Sequence, residues 1–554
     1  MQVFDRQRLS LSGEWGFYVD PMHRGVRQEW WKNRRDYRYC FPCYDVYSRT
    51  CIVPHNWCSE PDLRYYEGTC LYQKIFDYPI DDTKRTYITF GAVNFECDVY
   101  LNGEHVAHHS GGYLEFCVEV SGLIKQKDND LWLVVDNARH EGRIPAMIFD
   151  WWNDGGVIRD VEVYSVSDGG IDSYRLTTTL IDDQVVLDLS VIAGGEVEFE
   201  IADLGIKQVF SDSTTITIPR DKVRLYSDRD PHRYLVKLST CGDSVSEMVG
   251  LREVKVVGQD ILLNGEKVFL KGINVHEDFA PFGSAENHEA IDTVIGYCKQ
   301  LGVNFIRLAH YAHSRYFMEK AEEAGILTLE EIPLYWYVNW DKGIEDKAKA
   351  QYEEMIYRDF NRASVIIWGV GNEMSKDISN APHIENLAKY LKSIDNSRPI
   401  TYVCSSRDKV GDHYVPFMTD SMYESLDIIA VNTYGGMRED DPFDNDKHVE
   451  AYAKYGKPVI VTETGAFGVV GVRDGSEVDE LNQADFVEKQ VEKILSTDSI
   501  RGVSVWVLID GRTPIYSLKE STGTHFYGLI DMSGEKKQSY YSLMNIYRDT
   551  PDRL

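Results

Sequence analysis

No apolar run in this chain approaches the roughly 18 residues that a membrane-spanning helix needs. Low-complexity tracts are absent as well. Cysteine is scarce, 10 in 554 residues. Cys40-x-x-Cys43 has the opening spacing of a zinc site, but Cys51 and Cys58 supply no matching second pair. Cys70, Cys97, Cys117 and Cys404 sit inside strand-like runs and read as buried free thiols. A reducing, cytoplasmic location is therefore expected. Positive charge is in deficit: 59 Lys and Arg against 89 Asp and Glu, a formal −30. Such a surface repels phosphate backbones and anionic lipid, which excludes nucleic-acid and membrane-surface partners. The basic cluster Lys32, Arg34 and Arg35 is short, flanked by Glu29 and Asp36, and reads as solvated surface. The first stretch, "MQVFDRQRLSLSGEW", lacks the apolar core of a secretory leader, so none is expected.

What is present is a soluble composition, 43% hydrophobic and 27% charged, in a chain too long for one domain. Residues 1–163 read as all-β. Leu71–Phe76 and Leu131–Val135 are short strands, and "CDVYLNGEHVAHH" is a hairpin turning at Asn102-Gly103. A jelly roll is expected there. Residues 164–256 alternate in "VVLDLSV" and "VEFEIA", which suits an immunoglobulin-like β-sandwich. From 257 to 554 strands and helices alternate. Strands are expected at Val268–Ile273, Asn304–Arg307, Ile326–Glu331, Val365–Val370, Ile400–Cys404, Asp427–Val431, Val459–Thr462 and Val503–Leu508. Eight such units are the size of a closed (β/α)8 TIM barrel. A doubly wound sheet would want a Gly-rich phosphate turn after Ile273, and none is there.

Two of these strands end in a carboxylate. "SVIIWGVGNE" closes strand four with Asn372-Glu373, and "PVIVTETG" closes strand seven with Glu463. In such a barrel both strand ends face one mouth, so two glutamates can converge on one pocket. A facing pair suits glycosidic-bond cleavage, which needs a proton donor and a nucleophile or base. The bland alternative is that each caps a helix or pairs with a local arginine.

These stretches carry a family resemblance. With "LSGEWGFYVD", "VPHNW", "LNGEHVAHHSGGY", "ILLNGEKVFLKGINVHED", "NFIRLAHYAHS", "VNTYGG" and "VSVWVLID", the chain resembles glycoside hydrolase family 2, the β-galactosidases, β-glucuronidases and β-mannosidases. The resemblance implies a retaining exo-β-glycosidase, with Glu373 as acid/base, Glu463 as nucleophile and Tyr434 orienting that nucleophile. It implies sugar contacts from Asp150, His276, His310, Asn372, Asn432 and Trp506, and a cis peptide bond at Trp506-Val507. His313 reads as structural. The implied partner is a carbohydrate or glycoside substrate, with a dimer or tetramer as the assembly common among relatives.

For the sugar itself, family β-glucuronidases hold the uronate with an Asn-x-Lys motif. Here "STGTHFYGLID" places His525 and Tyr527 at those positions. Neither is a fixed cation, and Lys519 and Arg512 read as surface residues. A neutral sugar, β-galactosidase-like and including a furanoside, is therefore the leading expectation. A β-glucuronidase or galacturonidase with a non-standard carboxylate clamp is the alternative, and a non-catalytic carbohydrate-binding protein is the reading from another class. No cofactor or metal is expected, since "LEEIPLYWY" after strand three lacks the family's magnesium motif. Tyr335, Trp336, Tyr337 and Trp340 there fit either an aglycone platform or glue between loop and barrel. "GGMREDDPFDNDKH" after Tyr434 reads as an acidic loop bordering the pocket.

Overall fold

A computed structural model describes residues 6–32, 47–240, 242–374, 378–405, 408–410, 413–415, 419–434, 455–515 and 523–551. Arg34, Arg35, Cys40, Cys43, Lys519 and the acidic loop after Tyr434 lie outside the described residues. The seven described cysteines are free, and all are buried except the half-buried Cys117.

The N-terminal region is a sandwich of a six-stranded and a four-stranded antiparallel sheet. Trp15, Phe17, Tyr72, Ile88, Phe90, Leu131 and Leu133 fill the space between them. The Asn102-Gly103 hairpin turns as its residue types require, with φ of 55° and 97°. A second sandwich packs a three-stranded sheet on a four-stranded one. In Gln184–Ile192 every second side chain is buried, the period-two signature of a sheet with one wet face.

The C-terminal region is a closed barrel of eight parallel strands: Leu270–Val275, Phe305–Leu308, Leu327–Glu331, Val365–Asn372, Ile400–Ser405, Ile428–Asn432, Val459–Thr464 and Ile500–Val505. Strand four is buried at all eight positions, as expected where helices cover the outside and side chains fill the inside. Side-chain caps start the covering helices. Asn287 accepts from the Ala290 amide at 2.9 Å, Ser314 from Phe317 at 3.2 Å, and Asp479 from Leu481 at 2.8 Å. Such caps contribute about 1 kcal/mol each. Val254, Ile261, Leu263 and Val268 close one end of the barrel, packing against the inner layer of Leu270, Leu329, Ile367 and Ile460. The carboxyl ends of the strands form the opposite mouth.

Expected and observed boundaries differ most at that mouth. Strand seven extends through Thr464, so Glu463 lies inside the strand instead of following it. Strand eight starts at Ile500 and ends at Val505, leaving Trp506 just beyond it. Trp506-Val507 is cis, as expected, and Ala309-His310 is cis as well.

The first sandwich is stitched to this mouth by buried ions. Arg159 donates to Glu277 at 2.8 Å and to the Ala312 carbonyl at 2.8 Å. Burial alone would push the Glu277 carboxyl up; Arg159 and the Ser314 amide hold it below its ordinary value. Arg512 bridges Asp154 and Asp278, both at 2.7 Å. It is therefore buried within an interdomain ion cluster and not on the surface as its sequence context suggested. Tyr113 stacks on Tyr311 with centroids 3.9 Å apart. Arg159→Met would leave Glu277 buried without its guanidinium, at a cost of about 3 kcal/mol or more. Urea denaturation should show that loss as a lowered midpoint, and an unchanged midpoint would mean the pair contributes little.

Candidate active site

The backbone turns sharply where strand four ends. Gly371 has φ of 141°, and a Cβ there would meet the Leu334 carbonyl at 2.8 Å. Glu373 follows with φ of 52°, in the left-handed region that residues with a Cβ seldom occupy. Its amide donates to the Val403 carbonyl at 2.9 Å, which fixes the turn against strand five. Both Glu373 and Glu463 are 6% exposed.

One hydrogen-bonded network joins the two carboxylates. Arg307, on strand two and fully buried, donates to Glu463 at 2.6 Å, to Glu331 at 2.7 Å and to Asn372 Oδ1 at 2.9 Å. Asn432 Nδ2 donates to Asn372 Oδ1 at 3.1 Å and to Glu373 Oε1 at 2.9 Å. Thr462 donates to Asn432 Oδ1 at 2.9 Å, which fixes that amide's orientation. Asn372 Oδ1 is thus taken by two donors, so its own NH2 is left to face a ligand. Tyr434 donates to Glu463 Oε2 at 2.7 Å.

Burial pushes the Glu463 carboxyl up to about 7; Arg307 opposes this, and the nearby Glu373 charge adds to it. Burial also raises Asp150 to about 7, against the hydrogen bond that Thr513 donates at 2.6 Å, and Glu373 adds a small push. His276 and His310 are driven far below the ordinary histidine range, first by burial, and so are neutral. His310 Nδ1 lies 2.9 Å from Glu331 and its Nε2 3.8 Å from Glu463. His276 Nε2 is buried and has no partner among the described residues, so a ligand hydroxyl would satisfy it.

Aromatic rings wall this network. Trp506 lies 5.2 Å from the His310 ring, nearly parallel to it, and 5.3 Å from His276. Trp151, from the first sandwich, packs against His276, His310 and Tyr335. The aromatic cluster after strand three divides. Trp340 stacks on His383 and donates to Asn380, tying its loop to the barrel's outer layer, whereas Trp336 donates to Glu373 Oε2 at 3.0 Å.

All nine sequence-predicted site residues thus lie at this mouth. Arg307, Glu331 and the Trp336 contact escaped the sequence reading. Arg307 had a detectable signal: a cation inside the apolar run Phe305-Ile306-Arg307-Leu308 must find buried partners. His313 is buried and stands edge-on to Phe317. Among the described residues, Asp160, Glu286 and His288 bring three possible metal ligands within 4.8 Å of one another, and none of the three belongs to the mouth. Also among the described residues, no helix is long and apolar enough to cross a membrane.

Comparison with known proteins agrees with this architecture. The family description "Glycosyl hydrolases family 2, sugar binding domain" matches residues 9–167, and "Glycosyl hydrolases family 2, TIM barrel domain" matches residues 254–506. A β-glucuronidase of Paenibacillus borealis is 25% identical over 92% of this chain and 91% of its own. One from Bacteroides fragilis is 28% identical over 70% of this chain and 61% of its own. Among solved structures, a family 2 β-galacturonidase from Eisenbergiella tayi bound to galacturonate superposes with a TM-score of 0.84 at 23% identity, covering 99% and 98% of the two chains. A β-glucuronidase from an uncultured Clostridium superposes at 0.88 and 22%, covering 99% of each.

The Tyr434 hydrogen bond favours the ionised form of Glu463, so its loss raises that carboxyl further. If turnover needs Glu463 ionised, activity falls as pH drops below about 7. In Tyr434→Phe that acidic limb should move to higher pH, by about one unit. Profiles of kcat/KM against pH check this, and an unmoved limb contradicts it.

Proposed function

The chain belongs to glycosyl hydrolase family 2, and from that premise we propose that it is a retaining exo-β-glycosidase whose sugar is a uronic acid, β-glucuronic or β-galacturonic. The observation that carries the mechanism is the single network running from Glu373 through Asn432, Asn372 and Arg307 to Glu463. It holds one carboxylate against a buried guanidinium and the other between two N–H donors, so the pair is placed for unequal roles.

Glu463 attacks the anomeric carbon while Glu373 gives its proton to the glycosidic oxygen, and the aglycone leaves as an alcohol. Arg307 and Tyr434 keep Glu463 available as an anion despite its burial. The ester that forms removes that charge. Glu373, now a carboxylate, takes a proton from water as the water oxygen bonds to the anomeric carbon, and Glu463 is released. The Asn372 NH2 donates to the sugar 2-hydroxyl, a contact that strengthens as positive charge develops on the ring. Trp506 and His276 line the sugar, and Asp150 takes a hydroxyl from the side of the first sandwich.

The choice of a uronide replaces the neutral sugar favoured by the sequence reading. That expectation rested on the missing Asn-x-Lys pair, which removes one way of holding a carboxylate and not every way. β-Glucuronidases align along nearly the whole chain. His525 supports the same reading. It is buried, pushed down to about 3 by burial and the charge of Lys537, and its Nδ1 has no partner among the described residues. A carboxylate beside that nitrogen would supply the partner and favour the imidazolium. Arg512 already has two carboxylates and is committed to them.

Nitrophenyl β-glycosides separate the readings. The glucuronide or galacturonide should exceed the galactoside, galactofuranoside and glucoside in kcat/KM by at least about a hundredfold. A galactoside preference would restore the neutral-sugar reading. For the roles, Glu463→Ala should lose turnover on every substrate. Glu373→Ala should keep activated aryl substrates and yield the β-glycosyl azide when azide is added. An α-azide product would contradict the assignment.

A further inference from the structure

Among the described residues, Glu373 has two side-chain donors, and they come from opposite sides. Asn432 is buried, its amide fixed by Thr462, and it reaches Oε1 from inside the barrel. Trp336 is half-buried and reaches Oε2 from the rim loop. Oε1 is thus committed to the interior network, and Oε2 is the oxygen turned to the rim loop.

The Trp336 ring is held in place by its own loop. Tyr335 stacks beneath it with centroids 4.6 Å apart. Tyr335 is itself buried against Trp151 and His310. The loop backbone is zipped to strand four: Asn372 donates to the Leu334 carbonyl at 2.8 Å and Trp336 to the Asn372 carbonyl at 3.1 Å. Trp336 has φ of 46°, left-handed like Glu373 itself. A bulky residue in that conformation is kept by its surroundings. Here the surroundings aim the indole N–H at the carboxyl.

We propose that Trp336 is a positioning residue for the proton donor: its indole N–H holds Glu373 Oε2 toward the glycosidic oxygen. The inference rests on the reading of Glu373 as acid/base. In the first displacement the proton passes from Oε2 to the glycosidic oxygen as the bond from that oxygen to the anomeric carbon breaks. The carboxylate left behind accepts the indole N–H more strongly than the acid did. The contact therefore tightens as the leaving group departs, which is the condition for it to raise the rate. In the second displacement a water proton returns to Oε2.

The test compares wild type, Trp336→Phe, Trp336→Ala and Glu373→Ala on glycosides of the accepted sugar, with leaving groups from 2,4-dinitrophenol to phenol and methanol. Trp336→Phe keeps a ring and loses the N–H. Its kcat/KM should fall by about 10- to 100-fold on phenyl and methyl glycosides. On the dinitrophenyl glycoside, which leaves without a proton, it should stay within about threefold of wild type, and that retained turnover also reports an intact fold. Trp336→Ala, which also loses the N–H, should show the same dependence on the leaving group. An equal loss across the whole series, or no loss, overturns the proposal while Glu373→Ala still shows leaving-group dependence. If Glu373→Ala shows none, the acid/base reading itself has failed and the inference falls with it.

Discussion

A guanidinium with no access to water lies under this pocket. Arg307 is fully buried, and removing a charge from water costs several kcal/mol unless anions and hydrogen bonds replace the solvent. Glu331 and Glu463 are those anions. Their charges outweigh the effect of burial and push the Arg307 pKa up. Glu331 is enclosed at the wall of the barrel, whereas Glu463 faces the ligand side. The cation is therefore bonded permanently to one carboxylate and lends its field to the other. The amide orientations of Asn372 and Asn432, and through them the Oε1 side of Glu373, follow from what Arg307 already occupies.

This hub gives two chemically identical side chains different surroundings. Glu463 is attached to a cation and a phenol, so it can be an anion in a site that otherwise penalises charge. Glu373 is attached to an amide and an indole, both neutral donors. The first sandwich completes the arrangement by closing one wall. Trp151 and Asp150 reach the mouth because Arg159 and Arg512 hold their loop against the barrel with buried ion pairs. That domain contributes residues to the pocket and does not hang beside it.

Much of this was legible in the sequence because strong physical patterns were involved. Uninterrupted β-branched runs marked the parallel strands, period-two alternation marked the sandwiches, and Asn-Gly marked a hairpin. Carboxylates at the ends of apolar runs marked the mouth. The misses have equally physical reasons. The ends of strands seven and eight are set by pairing across the closed barrel, which no local propensity encodes. Arg512 sits among polar residues in sequence, and only the fold brings Asp154 and Asp278 to it. Arg307 hid inside a strand that looked purely structural, although a buried cation always implies a site for an anion. The sugar was the least legible feature, because a missing lysine says what does not hold a carboxylate and not what does.

As nucleophile, Glu463 would form a covalent bond to the sugar, held ready by Arg307. The direct measurement is to trap the intermediate with a 2-deoxy-2-fluoro uronide bearing a dinitrophenyl leaving group, then digest the protein and map the label by mass spectrometry. One fluorosugar per chain, esterified to Glu463, is the expected result. A label on any other residue, or turnover that inverts the anomeric centre without a trappable ester, would contradict it.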